Sequence, residues 1–183
     1  MTLFGRYLQS VALWSLLVLP LMVSGPANAG EAEVALLQSY VGSWKGSGVL
    51  SGGEGPERFN CRMTIARGNL GKINYAGRCN LAGMNLSVSG TIAYVDAAGR
   101  YEAAMTSNAT FSGDAIGRKQ GSGIVFDLRE RGTDEEGNDM TIASRILLRG
   151  GEINVDFDVV FNDTGEKMDA SVPFKRVSGA SPS

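Results

Sequence analysis

The sequence predicts an all-β protein: one antiparallel meander of 8–10 short strands closed into a barrel, with a short N-terminal helix. Three observations predict it. From Phe59 onward apolar residues recur at every second position, the period of a strand with one buried and one wet face. Glycine-rich turn segments separate these runs at regular spacing. A hairpin series of this length leaves two open edges, and closure removes them.

The elements follow in chain order. Residues 1–29 carry one charge, Arg6, then an apolar run from Val11 to Val23, then Ala27-Asn28-Ala29. A positive start, an apolar middle and an A-x-A end predict a secretory signal peptide cleaved after Ala29. The apolar run is broken by Pro20 and is shorter than the ~20 residues a spanning helix needs. The expected organisation is a leader over 1–29, a barrel domain over 30–176 and a flexible tail over 177–183. The expected location is periplasmic or secreted, with no transmembrane segment in the mature chain.

Val34 and Leu37, with Leu36 and Tyr40, recur at helical spacing over Glu31–Tyr40, and Gly42 follows as a stop. The strand stripes then run Phe59-Cys61-Met63-Ile65, Ile73-Tyr75-Gly77-Cys79-Leu81, Leu86-Val88-Gly90-Ile92-Tyr94 and Tyr101-Ala103-Met105. They continue through Ile124-Phe126-Leu128, Met140 to Leu148, Ile153 to Phe161, and Met168 to Phe174. The interval from Ser107 to Gly121 is too polar and glycine-rich to show a period.

Cys61 and Cys79 both lie in the part expected to be exported, where disulfides persist; two buried free thiols are the alternative. Pairing them across a hairpin sets Phe59 opposite Leu81, Met63 opposite Gly77 and Ile65 opposite Tyr75, all on the apolar face. A one-residue slip would swap faces and break this agreement. The turn then falls on Gly68–Gly71, where the glycines tolerate positive φ. Such a bridge contributes about 3 kcal/mol. Without a Cys-x-x-Cys spacing, its expected role is structural.

Composition excludes several functions. The chain has no histidine, which removes Ser-His-Asp and Cys-His catalysis and His-ligated zinc, copper and haem. Net charge is −2, and −3 once the leader takes Arg6 with it, with no basic stripe for nucleic acid. Glu102, Asp127 and Asp156 fall on polar faces, so no carboxylate pair is set up for hydrolysis. The acidic segment Asp134–Asp139 lacks the Asp-x-Asp-x-Asp-Gly order of a calcium loop. Asn108-Ala-Thr110 has the form of a glycosylation sequon. The expectation is a protein that is not an enzyme and needs no metal or cofactor.

The stretch Gly42-Ser43-Trp44-Lys45-Gly46-Ser47-Gly48 follows the short helix and opens the first strand. It resembles the Gly-x-Trp signature of the calycins, the superfamily of lipocalins and fatty-acid-binding proteins. The form Gly-x-Trp-x-Gly-x-Gly is most similar to nitrobindin-type barrels. The resemblance implies that Trp44 closes one end of the barrel and that a basic residue of the last strand packs across it. Arg176, two past Phe174, has the right parity. The family's haem-binding histidine has no counterpart here, so the resemblance implies fold and closure without haem.

Two functions remain in view. One is binding of a small apolar or amphipathic ligand inside the barrel, with Met63, Tyr75, Ile92, Tyr94, Met105, Phe126 and Phe157 as candidate lining. The same residues also suit ordinary core filling. The other is an envelope-maintenance or interaction protein, including a protease-inhibitor-like one, acting on an envelope protein through its outer surface.

Overall fold

The computed structural model describes residues 29–53, 55–81, 84–108, 112–133 and 137–177. Residues 1–28 of the expected leader, 178–183 of the expected tail, positions 109–110 of the sequon and positions 134–136 of the acidic segment lie outside the described residues.

Helix α1 spans Ala29–Gln38. Ten strands follow: β1 Gly42–Leu50, β2 Glu57–Arg67, β3 Ile73–Leu81, β4 Met84–Val95, β5 Arg100–Ser107, β6 Ser112–Gln120, β7 Gly123–Thr133, β8 Asp139–Arg149, β9 Glu152–Phe161 and β10 Lys167–Arg176. Each pairs antiparallel with its neighbours in sequence, and β10 returns to β1, so the sheet closes with no free edge.

The register states how wide the barrel is. From Gly42 the partners run to Ile65, Tyr75, Gly90, Met105 and Gly113. The β6–β7 register carries Gly113 to Glu130, and Ile142, Val159 and Met168 follow. The bridge Ser51↔Asp169 then sets Met168 opposite Gly52, ten residues on from Gly42. Ten strands make a wider cylinder than the eight that side chains just fill.

The disulfide joins Cys61 and Cys79, and these residues are direct partners in the β2–β3 ladder. Their Cα atoms are 4.1 Å apart, the close approach of a non-hydrogen-bonded pair. Met63↔Gly77 and Ile65↔Tyr75 follow in the same register. The turn differs in one respect from its expected chemistry. Gly71 takes φ 78°, but Leu70 also sits in the left-handed region at φ 55°, with its side chain 94% exposed. A bulky residue is strained there.

The barrel's two ends differ. At the helix end, where β1 begins and β10 finishes, Leu37 and Tyr40 of the α1 segment pack with Trp44, Ile73, Tyr101, Ile124, Phe126 and Leu148, all nearly inaccessible. Each such side chain contributes about 1.5–3 kcal/mol on burial. Toward the opposite end the inner faces of β8 and β9 are only half-buried at Met140, Ile142, Phe157, Val159 and Phe161. On the wall formed by β1, β2 and β10 burial persists at Phe59, Cys61, Ala170 and Val172. Glycines explain the contrast. A Cβ on Gly48 would fall 2.8 Å from the Phe59 ring, and one on Gly46 3.1 Å from the Phe174 ring, so both rings pack closely against that wall.

Candidate functional site

The helix end is held by three groups of contacts. First, Trp44 and Arg176 are partners in the β1–β10 register, and the Arg176 guanidinium carbon stands 4.4 Å from the Trp44 ring centroid. The guanidinium also donates to the carbonyls of Val41 at 2.5 Å and Ser39 at 2.6 Å. The Trp44 indole N–H donates to the Tyr40 carbonyl at 3.0 Å. One arginine thus ties the chain leaving α1 to the last strand and covers the indole.

Second, Glu33 points from α1 into the barrel mouth. Its carboxylate accepts from the Tyr101 hydroxyl and from Lys119 Nζ, the latter at 2.5 Å. Burial pushes this carboxyl up, but Lys119 and Tyr101 outweigh it, and the group is held below its ordinary value. Burial, reinforced by Glu33, raises the Tyr101 hydroxyl. Third, Gln38 Nε2 donates to the carbonyls of Gly71 and Lys72, and Arg67 donates to Gln38 Oε1 at 2.6 Å. Sequence reasoning did not find the Glu33–Tyr101–Lys119 cluster. Lys119 lies 86 residues from Glu33, on the strand whose apolar period is missing.

The interior is the candidate ligand site, and the structure divides its seven expected lining residues. Ile92 and Phe126 are buried in the core. Tyr94 and Phe126 both pack edge-on against Tyr101, with centroids 5.1 and 6.3 Å away. These three belong to the plug at the helix end. Met63, Tyr75, Met105 and Phe157 are half-buried against the core and lie further along the wall. Tyr75, Gly90 and Met105 occupy one register row. Tyr75 leans across Gly90, where a Cβ would fall 2.6 Å from its hydroxyl oxygen. Burial pushes that hydroxyl up to about 12.

Small residues leave space on this wall. The nearest heavy atom to a Cβ on Gly77 would be 3.8 Å away, and among the described residues nothing lies within 4 Å of one on Gly132. A further inner-wall group is Glu130, which continues the Ile124-Phe126-Leu128 stripe and so faces inward. Its Oε1 would lie 3.0 Å from a Cβ on Gly113. Strand parity alone marks it. Two open depressions are also present among the described residues. One lies between α1 and the β2–β3 turn, and the other over the Tyr75, Gly90 and Met105 row with neighbouring Ser89, Thr91 and Thr106. The described residues contain no cluster of three or more His, Cys, Asp or Glu suited to a metal, and no helix among them is long and apolar enough to cross a membrane.

No protein-family model matches the chain, and no curated protein matches it. Solved structures do. Rv2717c from M. tuberculosis superposes with a TM-score of 0.60 at 15% identity, covering 81% of this chain and 97% of that one. At this identity the likeness is one of fold. A "putative outer membrane protein" (BF2706) from Bacteroides fragilis NCTC 9343 matches at a TM-score of 0.30 and 9% identity, covering 77% of this chain and 99% of that one.

Proposed function

We propose that the chain is an exported calycin-like barrel that binds a small apolar or amphipathic ligand inside its wall. The observation that carries this reading is the burial gradient. The interior is packed solid at the helix end and half-open along β8 and β9. A ten-stranded barrel has room to hold one such ligand. Met63, Met105 and Phe157 offer adaptable apolar surface, while the Tyr75 hydroxyl and the Glu130 carboxylate offer polar contacts for an amphipathic molecule. Ligand binding rather than catalysis is further supported by the absence of histidine from the chain.

The test is direct. Native mass spectrometry of the protein recovered from its own exporting host should show a bound small molecule. Titration with the apolar fluorophore 1,8-ANS should then show saturable binding that Gly77→Leu, which fills open wall, weakens at least ~10-fold without unfolding the barrel. An empty protein whose fluorophore response is the same in Gly77→Leu would overturn the reading. A second reading, action on an envelope protein through the outer surface, is favoured by Leu70, an apolar side chain held exposed at positive φ. Co-purification of a stoichiometric protein with an empty barrel would support it instead.

A further inference from the structure

We propose that removal of the leader completes the seal at the helix end: hydrolysis after Ala29 leaves a Gly30 ammonium that pairs with the Asp96 carboxylate. This rests on the export part of the function proposed above and adds a maturation step to it.

Two structural facts meet at this point. Ala29 and Gly30 both lie in helix α1, so the expected cleavage bond is wound into it, and Gly30 is buried. Against it lies Asp96, an exposed residue and the first of the turn joining β4 to β5. A Cβ on Gly30 would collide with that carboxylate, lying 2.6 Å from Cγ and 2.7 Å from Oδ2. Among the described residues the Asp96 side chain makes no hydrogen bond or salt bridge. A solvent-exposed carboxylate with no partner among the described residues therefore lies against the residue whose nitrogen cleavage would free.

The chemistry balances with water alone. The Ala29–Gly30 amide bond breaks, and hydroxide from water joins the Ala29 carbonyl carbon to give a carboxylic acid, which ionises. The remaining proton of water and the one released by that acid go to the Gly30 nitrogen. A neutral amide beside Asp96 becomes an ammonium. An ammonium at a helix N-terminus opposes the macrodipole, and a carboxylate held against it offsets that penalty. The other charged groups around it are Glu31 and Glu33 on α1, Arg67 of β2 across the neighbouring groove, and Lys119 of β6, which Glu33 already holds. Two nearby acids reinforce the ammonium, and the two cations are engaged with Gln38 and Glu33.

One corollary concerns order. A peptidase that reads its substrate extended cannot act on a bond wound into a docked helix. Cleavage must precede the docking of α1, and docking then hides the new terminus.

The test uses chain 30–183 with a free Gly30 amine and the same chain Nα-acetylated, with Tm read from about pH 6 to 10. An α-amino group has a pKa of about 8, and pairing raises it, so the stabilisation is complete below that value and lost as pH climbs through the raised one. The free-amine form should melt about 2–4 °C above the acetylated form at pH 6.5, with the gap closing by about pH 10. Asp96→Asn should close it at every pH. Equal melting at pH 6.5, or a gap that Asp96→Asn leaves intact, would overturn the ion pair. N-terminal sequencing of the protein from its exporting host should read Gly30 first. Any other terminus would overturn the processing step, whereas the melting test needs no export, so the two failures are distinguishable.

Discussion

Replacing Glu33 by alanine removes the acceptor shared by Tyr101 and Lys119 and so tests what holds the helix over the barrel mouth. The Tyr101 hydroxyl is buried, and a hydrogen bond to a charged acceptor contributes about 1.5–3 kcal/mol. The Lys119 side chain is 51% accessible, so its pair with Glu33 is screened and adds at most about 1 kcal/mol. The expected loss is therefore about 1.5–4 kcal/mol, toward the lower end because the Tyr101 hydroxyl also reaches the Glu33 carbonyl, at 3.3 Å. In thermal melts at pH 7 that is a fall of about 5–10 °C. The pH dependence supplies the sharper check. The folded carboxyl is held below its ordinary value of 4.5, so the charged form stabilises the fold above that value. That stability is lost as pH falls through the depressed folded value. The gap between the native protein and Glu33→Ala should narrow as pH falls below about 5. Tyr101→Phe in a double-mutant cycle separates the two partners. A variant that melts with the native protein at pH 7, or a gap that widens toward pH 3, refutes the reasoning.

Arg176→Ala loses two carbonyl contacts and the indole contact, and should destabilise by about 1–3 kcal/mol in urea denaturation; Arg176→Lys should recover only part, since an ammonium cannot span both carbonyls while covering the ring. Changing Cys61 and Cys79 together to alanine should lower stability by about 3 kcal/mol, and the native protein should fall to the same value under reductant, because the bridge spans 18 residues and acts mainly on the unfolded chain.

The strands with large apolar residues were legible in the sequence for a physical reason: a buried face repeats every second residue, and β2, β3 and β9 keep that repeat throughout. The disulfide register was legible because two cysteines and one apolar face agree on a single offset. Strand β6 was not legible. Its inward residues are Gly113, Ala115 and Gly117, and the bulk for that stretch comes from its neighbour: the Phe126 ring lies over Gly117, within 2.6 Å of where a Cβ would be. A strand that lends its volume to the next one shows no hydrophobic period. The left-handed Leu70 was equally hidden, since glycines on either side offered an easier place for positive φ. Of the site, the Trp44–Arg176 pair could be read from parity and a motif. The Glu33–Tyr101–Lys119 cluster could not, because it exists only once the meander has closed.

The seam between β1 and β10 bears on how the barrel is assembled. It joins the first strand made to the last, and Trp44 meets Arg176 only after everything between has been threaded and paired. Until then both edges of the growing sheet stand open. The chain has two tryptophans, and the other, Trp14, lies in the segment expected to be cleaved. In chain 30–183 indole emission comes from Trp44 alone, under the guanidinium that closes the seam. A refolding trace followed by tryptophan fluorescence would therefore time the final stitch of the cylinder, separately from circular dichroism, which follows the strands as they form.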